Sequence, residues 1–346
     1  MLEVPCHCAI DLREVSQVGE ARRAAVNVAE HLGFNEVATG RVALVATELG
    51  TNLVRHAQGG KMLLGVVEGV DGQKVVELLS LDHGPGMANV QACMVDGYST
   101  GGTPGLGLGA VKRLSSEFDV FSSVPGGTVI MSRVAAARAG HGSAQLPPTG
   151  QADFLQGAIA LAAPGEIVCG DAWAVVQEGA RAAVIVADGL GHGPQARAAS
   201  NAAVAVFSNA PFDSPSQVIE RMHGALRPTR GAALLIAQLD MANNQLNFSG
   251  AGNISGRLIS GVSDKSLASQ HGTVGIQIRH LHDIQQDWPP HALLVLHSDG
   301  VTTRWDLDHV QGILQHHPTV VAAWLLRDHC RSRDDATVVI LKRQGA

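Results

Sequence analysis

The stretch "ELGTNLVRHA", residues 48–57, decides how the first third of the chain is read. It closes an apolar run, and Glu48, Asn52 and His56 recur in it at steps of four. Four residues turn a helix by roughly 400°, so the three share one face. Val42, Val45, Leu49 and Leu53 form the neighbouring apolar stripe. A helix with a core face beside a line of acid, amide and imidazole either caps a pocket or strands polar groups that need partners.

Two later stretches favour the pocket. "LDHGPGM" (81–87) puts Asp82 at the end of an apolar strand, followed by Gly84, Pro85 and Gly86. A strand-end carboxylate can accept a hydrogen bond from an exocyclic amine such as that of adenine, and the glycines let backbone approach the ring. "GLGLGAVKRL" (105–114) carries Gly105, Gly107 and Gly109 into a helix, whose free N–H groups suit phosphates. From the opening helix, Asn52 offers an amide oxygen to a hard cation, and Glu48 offers a base or a water anchor. Each feature alone is only a turn, a hairpin or a solvated side chain. Their order and spacing carry the reading.

That order resembles the GHKL (Bergerat) nucleotide-binding domains of histidine kinases, gyrase and Hsp90-like ATPases. Among these it is most similar to the small serine kinases and anti-sigma factors of bacterial partner-switching systems. The resemblance covers about residues 6–134 and implies an ATP-binding α/β sandwich. It makes "ELGTNLVRHA" the N-box, with Asn52 on the ATP-bound magnesium and Glu48 as the base. It makes "DHGPG" the first glycine box, with Asp82, Gly84 and Gly86 at the nucleotide. It makes "GLGLG" the second, with Gly105, Gly107 and Gly109, and it matches Thr128 of "GGT" to the threonine near the adenine-binding acid. "GLGLGAVKRLSSEFDV" is particularly similar to the stressosome switch kinases. No phosphoacceptor-histidine segment precedes the N-box, which sets the chain apart from ordinary histidine kinases.

The 346 residues suggest two or three domains, each able to bury a core. Charged residues make 16% and hydrophobic ones 45%, as in compact soluble proteins. The formal net charge of −6 splits evenly, with 11 Lys+Arg against 14 Asp+Glu up to residue 140 and 14 against 17 beyond it. Neither half offers a basic surface for nucleic acid. No apolar run reaches the ~18 residues of a membrane span, and the N-terminus lacks a basic signal region. Five cysteines without framework spacing read as a reducing, cytoplasmic setting. "CHC" (6–8) reads as alternation in a first strand rather than a metal motif.

Residues 136–153, rich in Ala, Gly, Pro and Gln, read as a linker between domains at 1–135 and 154–346. Before it, strands are expected at 6–12, 61–69, 74–81, 118–123 and 127–134, and helices at 14–32, 36–57 and 106–117. After it, strands are expected at 157–163, 166–178, 181–187, 231–239, 245–249, 255–260, 280–287, 291–297 and 336–342. Helices are expected at 194–210, 215–226 and 318–331, so both halves are α+β.

In the second half, aspartates far apart in sequence each adjoin an apolar strand: Asp171 in "EIVCGD", Asp188 in "VIVADGLGHG", Asp299 in "LLVLHSDG", and Asp334 and Asp335 in "SRDDATVVIL". A carboxylate at a buried strand end costs solvation unless a cation or hydrogen bonds compensate it. Converging strand ends would make an oxygen-only cage suited to Mg²⁺ or Mn²⁺ rather than zinc. Two such ions ~4 Å apart share a water and lower its pKa, giving a nucleophile for phosphorus. Asp-Gly pairs also close ordinary β-turns. The ordered set "DGLGHG", "SDG" and "DDATVVIL" outweighs that reading.

The set resembles the metal-dependent serine/threonine phosphatases of the bacterial SpoIIE-type subgroup, over about residues 155–343. The resemblance implies an αββα sandwich and two Mn²⁺ or Mg²⁺ ions. It makes Asp188 the bridging ligand, with the Gly189 carbonyl beside it. Asp171 belongs to the second metal, Asp299 and Asp334 belong to the first, and Asp335 is structural. It aligns residues 194–226 with the paired helices that regulate such enzymes. Cys169 stands where glycine is usual and Ala172 where an aromatic is common. No arginine is assigned to the substrate phosphate.

Together the two resemblances imply a bifunctional partner-switching regulator. A serine kinase and a phosphoserine phosphatase would act on STAS-domain antagonist proteins, with a sigma factor or a stressosome-like complex as further partners. The alternative is a phosphatase whose GHKL domain is an ATP sensor or sigma-factor-binding module. Glu48 favours the first, because a sensor has no need of a base. A scaffold with decayed sites is disfavoured because every expected ligand type is present.

Overall fold

A computed structural model of the chain describes residues 6–69, 72–94, 107–136 and 153–345. Gly105 and the expected linker, apart from its end residues Ala136 and Asp153, lie outside the described residues. The chain forms two compact units, His7–Thr149 and Gly150–Ala346, the latter taking in Met1–Cys6 as well.

The first unit runs β1 (Cys8–Leu12), α1 (Val15–His31), α2 (Glu36–His56), β2 (Gly60–Glu68), β3 (Lys74–Leu81), α3 (Val90–Cys93), α4 (Gly107–Leu114), β4 (Glu117–Ser123) and β5 (Gly127–Ala135). Its strands make one antiparallel sheet in the order β1-β2-β3-β5-β4. The helices start where local caps allow. Gln17 and Glu14 form a reciprocal capping box before α1, and the Asn35 side chain accepts the Ala38 N–H at 2.9 Å before α2. Along α2 the expected stripe of Val42, Val45, Leu49 and Leu53 is buried with Val76 and Leu78 of β3. Glu48 and Asn52, on the adjoining line of the helix, are half-buried.

On the other face of β3, side chains form one row across all five strands. Glu77 is opposite Gly65 of β2 and Arg133 of β5, and Arg133 is opposite Glu117 of β4. His7 lies one step before the Cys8–Leu64 pair. Its Nε2 meets Glu77 at 3.0 Å, across a Gly65 whose Cβ would fall 2.6 Å from the imidazole. Arg133 donates to Glu77 at 2.7 Å and to Glu117 at 2.8 Å. A buried charge is tolerated only when it is paired in this way.

The second unit starts with β6 (Phe154–Leu161), β7 (Asp171–Glu178), β8 (Arg181–Gly189), α5 (Gly193–Asn209), α6 (Pro215–Leu226), β9 (Ala232–Asp240) and β10 (Gln245–Ala251). It continues with β11 (Ser255–Ile259), β12 (Asp264–Leu267), β13 (Gly272–Thr273), β14 (Gln277–Ile278), β15 (Ile284–Asp287), β16 (Leu293–His297), α7 (Pro318–His329) and β17 (Ala336–Arg343). Two five-stranded antiparallel sheets form, ordered β15-β10-β9-β8-β7 and β12-β11-β16-β17-β6. Their inner faces share a core that includes Val184, Val186, Leu235, Phe248, Leu294, Leu296 and Val339. On the outer face of the first sheet, Ile185, Ile236, Phe207, Ile219 and Met222 pack α5 and α6. Helix α7 packs on β6 and β17. The layers are therefore helix, sheet, sheet, helix.

Several local expectations differ from the structure: the strand expected over 280–287 is only Ile284–Asp287, and β12, β13 and β14 fall where no strand is expected. The strand expected from 166 begins only at Asp171, because Pro164 and Gly165 form a turn closed by the Glu166 N–H on the Ala163 carbonyl at 2.9 Å. That turn leaves Ile167 94% exposed. Strand β12, "DKSL", has no apolar alternation to reveal it.

Candidate functional sites

In the first unit, α2, the segment after β3, α4 and β5 enclose a cavity of about 690 Å³. Glu48, Asn52, Asp82, Gly86, Gly107 and Thr128 line it. Asp82 is buried, and its Oδ1 accepts the N–H groups of Gly84 at 2.8 Å and Thr128 at 3.1 Å. Those two bonds fix the direction of the carboxylate. Thr128 and Ser122 share a hydroxyl bond of 2.9 Å, and Ser122 accepts the Met87 N–H at 2.7 Å, which fastens the loop after β3 to the β4–β5 hairpin. Gly86 has a φ of +74°, and a Cβ there would lie 2.1 Å from the Ser123 carbonyl. Only glycine takes that path without strain.

The structure thus gathers Glu48, Asn52, Asp82, Gly86, Gly107 and Thr128 around one space. Gly84 supports Asp82 from behind, and Gly109 is buried on α4 without lining the cavity. Thr51, Arg55, Asn89 and Cys93 line it as well. Thr51 and Arg55 flank the N-box residues on α2, a placement the helical period gives, whereas Asn89 and Cys93 follow from the loop fold and have no local signal.

In the second unit, the relevant ends of both sheets lie together. Asp171 starts β7 and stands opposite Asp188 at the end of β8. Asp299 follows β16, Asp334 and Asp335 precede β17, and these strands are neighbours. Ser298 ties the two sheets. Its hydroxyl donates to Asp171 Oδ2 at 2.7 Å and accepts the Thr337 N–H at 2.9 Å. Asp299 Oδ2 accepts from the Asn253 amide at 2.6 Å. Asp335 is buried and accepts the Ala163 N–H at 2.9 Å, a structural bond. Asp334 is exposed, and its Oδ1 accepts the Asp335 N–H at 2.9 Å. Gly189 is buried at the end of β8. Cys169 is buried and donates to the Leu161 carbonyl, so the departure from glycine there is absorbed by packing.

Burial pushes the Asp188 carboxyl well above the carboxylate range, and the charges of Asp171, Asp299 and Asp334 push the same way. Burial also raises Asp171, against the hydrogen bond from Ser298, with Asp335 and Asp299 adding to the rise. Asp171 Oδ1 is buried and has no hydrogen-bond partner among the described residues. An all-oxygen donor set, mutually repelling and with one oxygen left over, fits a hard divalent cation. Among the described residues no three His, Cys, Asp or Glu side chains form a closed ion-holding group. The carboxylates share one neighbourhood without making a finished cage.

Sequence reasoning passed over Ser298 and Asn253. Ser298 could have been suspected as the neighbour of Asp299. Asn253, 46 residues away, carries no local signal.

The Histidine kinase-like ATPase domain family matches residues 13–133. The family described as Stage II sporulation protein E (SpoIIE) matches residues 178–344. The two folds thus define a histidine kinase-like ATPase domain followed by a PP2C-type phosphatase domain. The chain is 38% identical over 113 residues to the serine/threonine-protein kinase RsbT of Bacillus subtilis (strain 168), covering 84% of that protein and 32% of this chain. The chain belongs, through its first unit, to the RsbT-like family.

It is also 29% identical over 90 residues to the phosphoserine phosphatase RsbX of the same organism, spanning 45% of that protein and 26% of this chain. A solved structure described as "The bacterial stressosome: a modular system that has been adapted to control secondary messenger signaling" is similar at a TM-score of 0.51 and 25% identity. It covers 55% of this chain and 99% of the other. RsbX in complex with magnesium shares the fold at a TM-score of 0.50 and 21% identity, covering 55% of this chain and 96% of the other. No helix among the described residues is long and apolar enough to cross a membrane.

Proposed function

We propose that the chain sets the phosphorylation of a partner-switching protein by two opposed activities. The observation that carries the kinase half is that Glu48, Asn52 and Asp82 line one cavity. In this reading Asp82, held by the N–H groups of Gly84 and Thr128, accepts the exocyclic amine of adenine. Asn52 would hold the ATP-bound Mg²⁺, and Gly105, Gly107 and Gly109 would belong to the phosphate-binding segment. Glu48 takes the proton of a substrate serine hydroxyl as its oxygen bonds the γ-phosphorus and ADP leaves. A nucleotide sensor has no need of a carboxylate at that position.

In the phosphatase half, Asp171, Asp188, Asp299 and Asp334, with the Gly189 carbonyl, would hold two Mn²⁺ or Mg²⁺ ions. When bound, such ions supply a water of lowered pKa and positive charge toward phosphoryl oxygens. The protein's own part is to hold the carboxylates. Ser298 fixes Asp171, and the β7–β8 ladder fixes Asp171 against Asp188.

The likeness to RsbT and RsbX supports a STAS-domain phosphoprotein as the shared substrate, within a sigma-factor or stressosome-like pathway. The test is to incubate the chain with [γ-³²P]ATP and candidate STAS proteins, with and without Mn²⁺. Phosphate occupancy of the partner is then read by mass spectrometry in cells carrying Asp188→Asn or Asn52→Ala. The first variant should drive the partner to full phosphorylation and the second to none. Unchanged occupancy in both would refute the shared-substrate reading.

A further inference from the structure

We propose that Asn253 is a positioning residue of the phosphatase unit, its side-chain amide holding the Asp299 carboxylate in the direction a divalent cation requires. The inference rests on the reading of Asp299 as a metal ligand. Its geometry comes from the sheet. Ser255 of β11 is the antiparallel partner of His297 of β16. Asn253 and Asp299 each stand two residues beyond that last pair, so the ladder brings them to the same end of the two strands. The contact follows, with Asn253 Nδ2 donating to Asp299 Oδ2 at 2.6 Å. The loop that presents Asn253 is itself pinned. The Gly252 N–H donates to the Gln270 carbonyl at 2.8 Å, and the Gln270 N–H donates to the Gly250 carbonyl at 2.9 Å.

The chemistry of the donor matters. A lysine or arginine in this place would neutralise Asp299 and compete with a cation for it. An amide is neutral, so it takes one oxygen and leaves the charge and the other oxygen available. Ser298 treats Asp171 in the same way, engaging Oδ2 and leaving Oδ1 without a protein partner among the described residues. Two of the four carboxylates are therefore each held by one uncharged side-chain donor. Partners of this kind typically hold about 10–100-fold in metal affinity.

The test uses the full chain with MnCl₂ as the probe, free Mn²⁺ being followed by electron paramagnetic resonance. Asn253→Leu keeps the bulk without the donor, and Asn253→Ala removes both. Each should weaken Mn²⁺ binding by about 10–100-fold. The Mn²⁺ concentration for half-maximal hydrolysis of p-nitrophenyl phosphate should rise in step, while the melting temperature of the metal-free protein stays that of the wild type. Mn²⁺ affinity within twofold of wild type in both variants, with Asp299→Asn losing it, would overturn the role of Asn253 and leave the metal site standing. Wild-type affinity in Asp299→Asn as well would overturn the metal reading and this inference together. A metal-free Asn253→Leu protein that melts well below the wild type would make the residue a packing element and also overturn the proposal.

Discussion

Replacing Glu77 by glutamine should loosen the first unit by about 3 kcal/mol at pH 7 and leave the second unit unchanged. Glu77 is fully buried in the middle of β3, five residues before Asp82. Burial alone would raise its carboxyl, but the charge of Arg133 and the hydrogen bonds from His7 and Arg133 outweigh it and hold the pKa at about 2 against an ordinary 4.5. The unfolded chain takes up this proton near 4.5 and the fold only near 2. The stabilisation is therefore complete above pH 4.5 and is lost as pH falls through 2. At 1.36 kcal/mol per pH unit, that interval amounts to about 3 kcal/mol. The loss of the Glu77–Arg133 pair is part of this same figure, since the charge of Arg133 is what holds the Glu77 carboxyl down, and Arg133 keeps its bond to Glu117. All four tryptophans (Trp173, Trp288, Trp305 and Trp324) lie in the second unit, so tryptophan fluorescence during urea unfolding reports that unit alone. Hydrogen exchange of β3 and β5 peptides reports the first. Exchange there should quicken by about 100-fold at pH 7, with the fluorescence midpoint unmoved. The wild type should lose the same protection between pH 4.5 and 2, whereas the variant should not. Exchange within twofold of wild type at pH 7 would show that the row contributes nothing and that the assigned pairing is wrong.

Three further outcomes are expected. Asn52→Ala or Asp82→Asn should abolish ATP binding measured by calorimetry while hydrolysis of p-nitrophenyl phosphate persists, since the two ligand sets lie in separate units. EDTA, Asp188→Asn or Asp299→Asn should remove that hydrolysis, and added Mn²⁺ should restore it only to the EDTA-treated wild type. Ser298→Ala should cost the second unit about 1–3 kcal/mol in urea unfolding followed by tryptophan fluorescence, because it leaves a buried carboxylate oxygen of Asp171 without its donor.

The sequence made one kind of feature visible and concealed another, and register explains the division. Period and caps are local, so the helix carrying Glu48 and Asn52 could be placed to within a residue, and its core face was fixed by Val42, Val45, Leu49 and Leu53. An acid at the end of an apolar run is also local, so Asp82, Asp171, Asp188 and Asp299 stood out as chemistry in search of a partner. Local pattern says which face a strand residue occupies, but not which residue stands opposite it. For that reason "EIVC" could pass for strand, although the Pro164–Gly165 turn turns Ile167 to solvent. The row from His7 to Glu117 was equally hidden, since it joins five strands whose pairing no single strand reveals. Ser298 on Asp171 and Asn253 on Asp299 belong to the same class, at separations of 127 and 46 residues. Both are small neutral residues of ordinary appearance in turns, and only opposition gives them a task. The opposition is nonetheless determined once any nearby pair is known, because the antiparallel ladder is periodic. The Ser255–His297 pair brings Asn253 and Asp299 to the same end of the β11–β16 ladder, just as the β7–β8 ladder pairs Asp171 with Asp188. What holds the acids in place is therefore encoded in strand pairing, one level above the motifs that reveal the acids themselves.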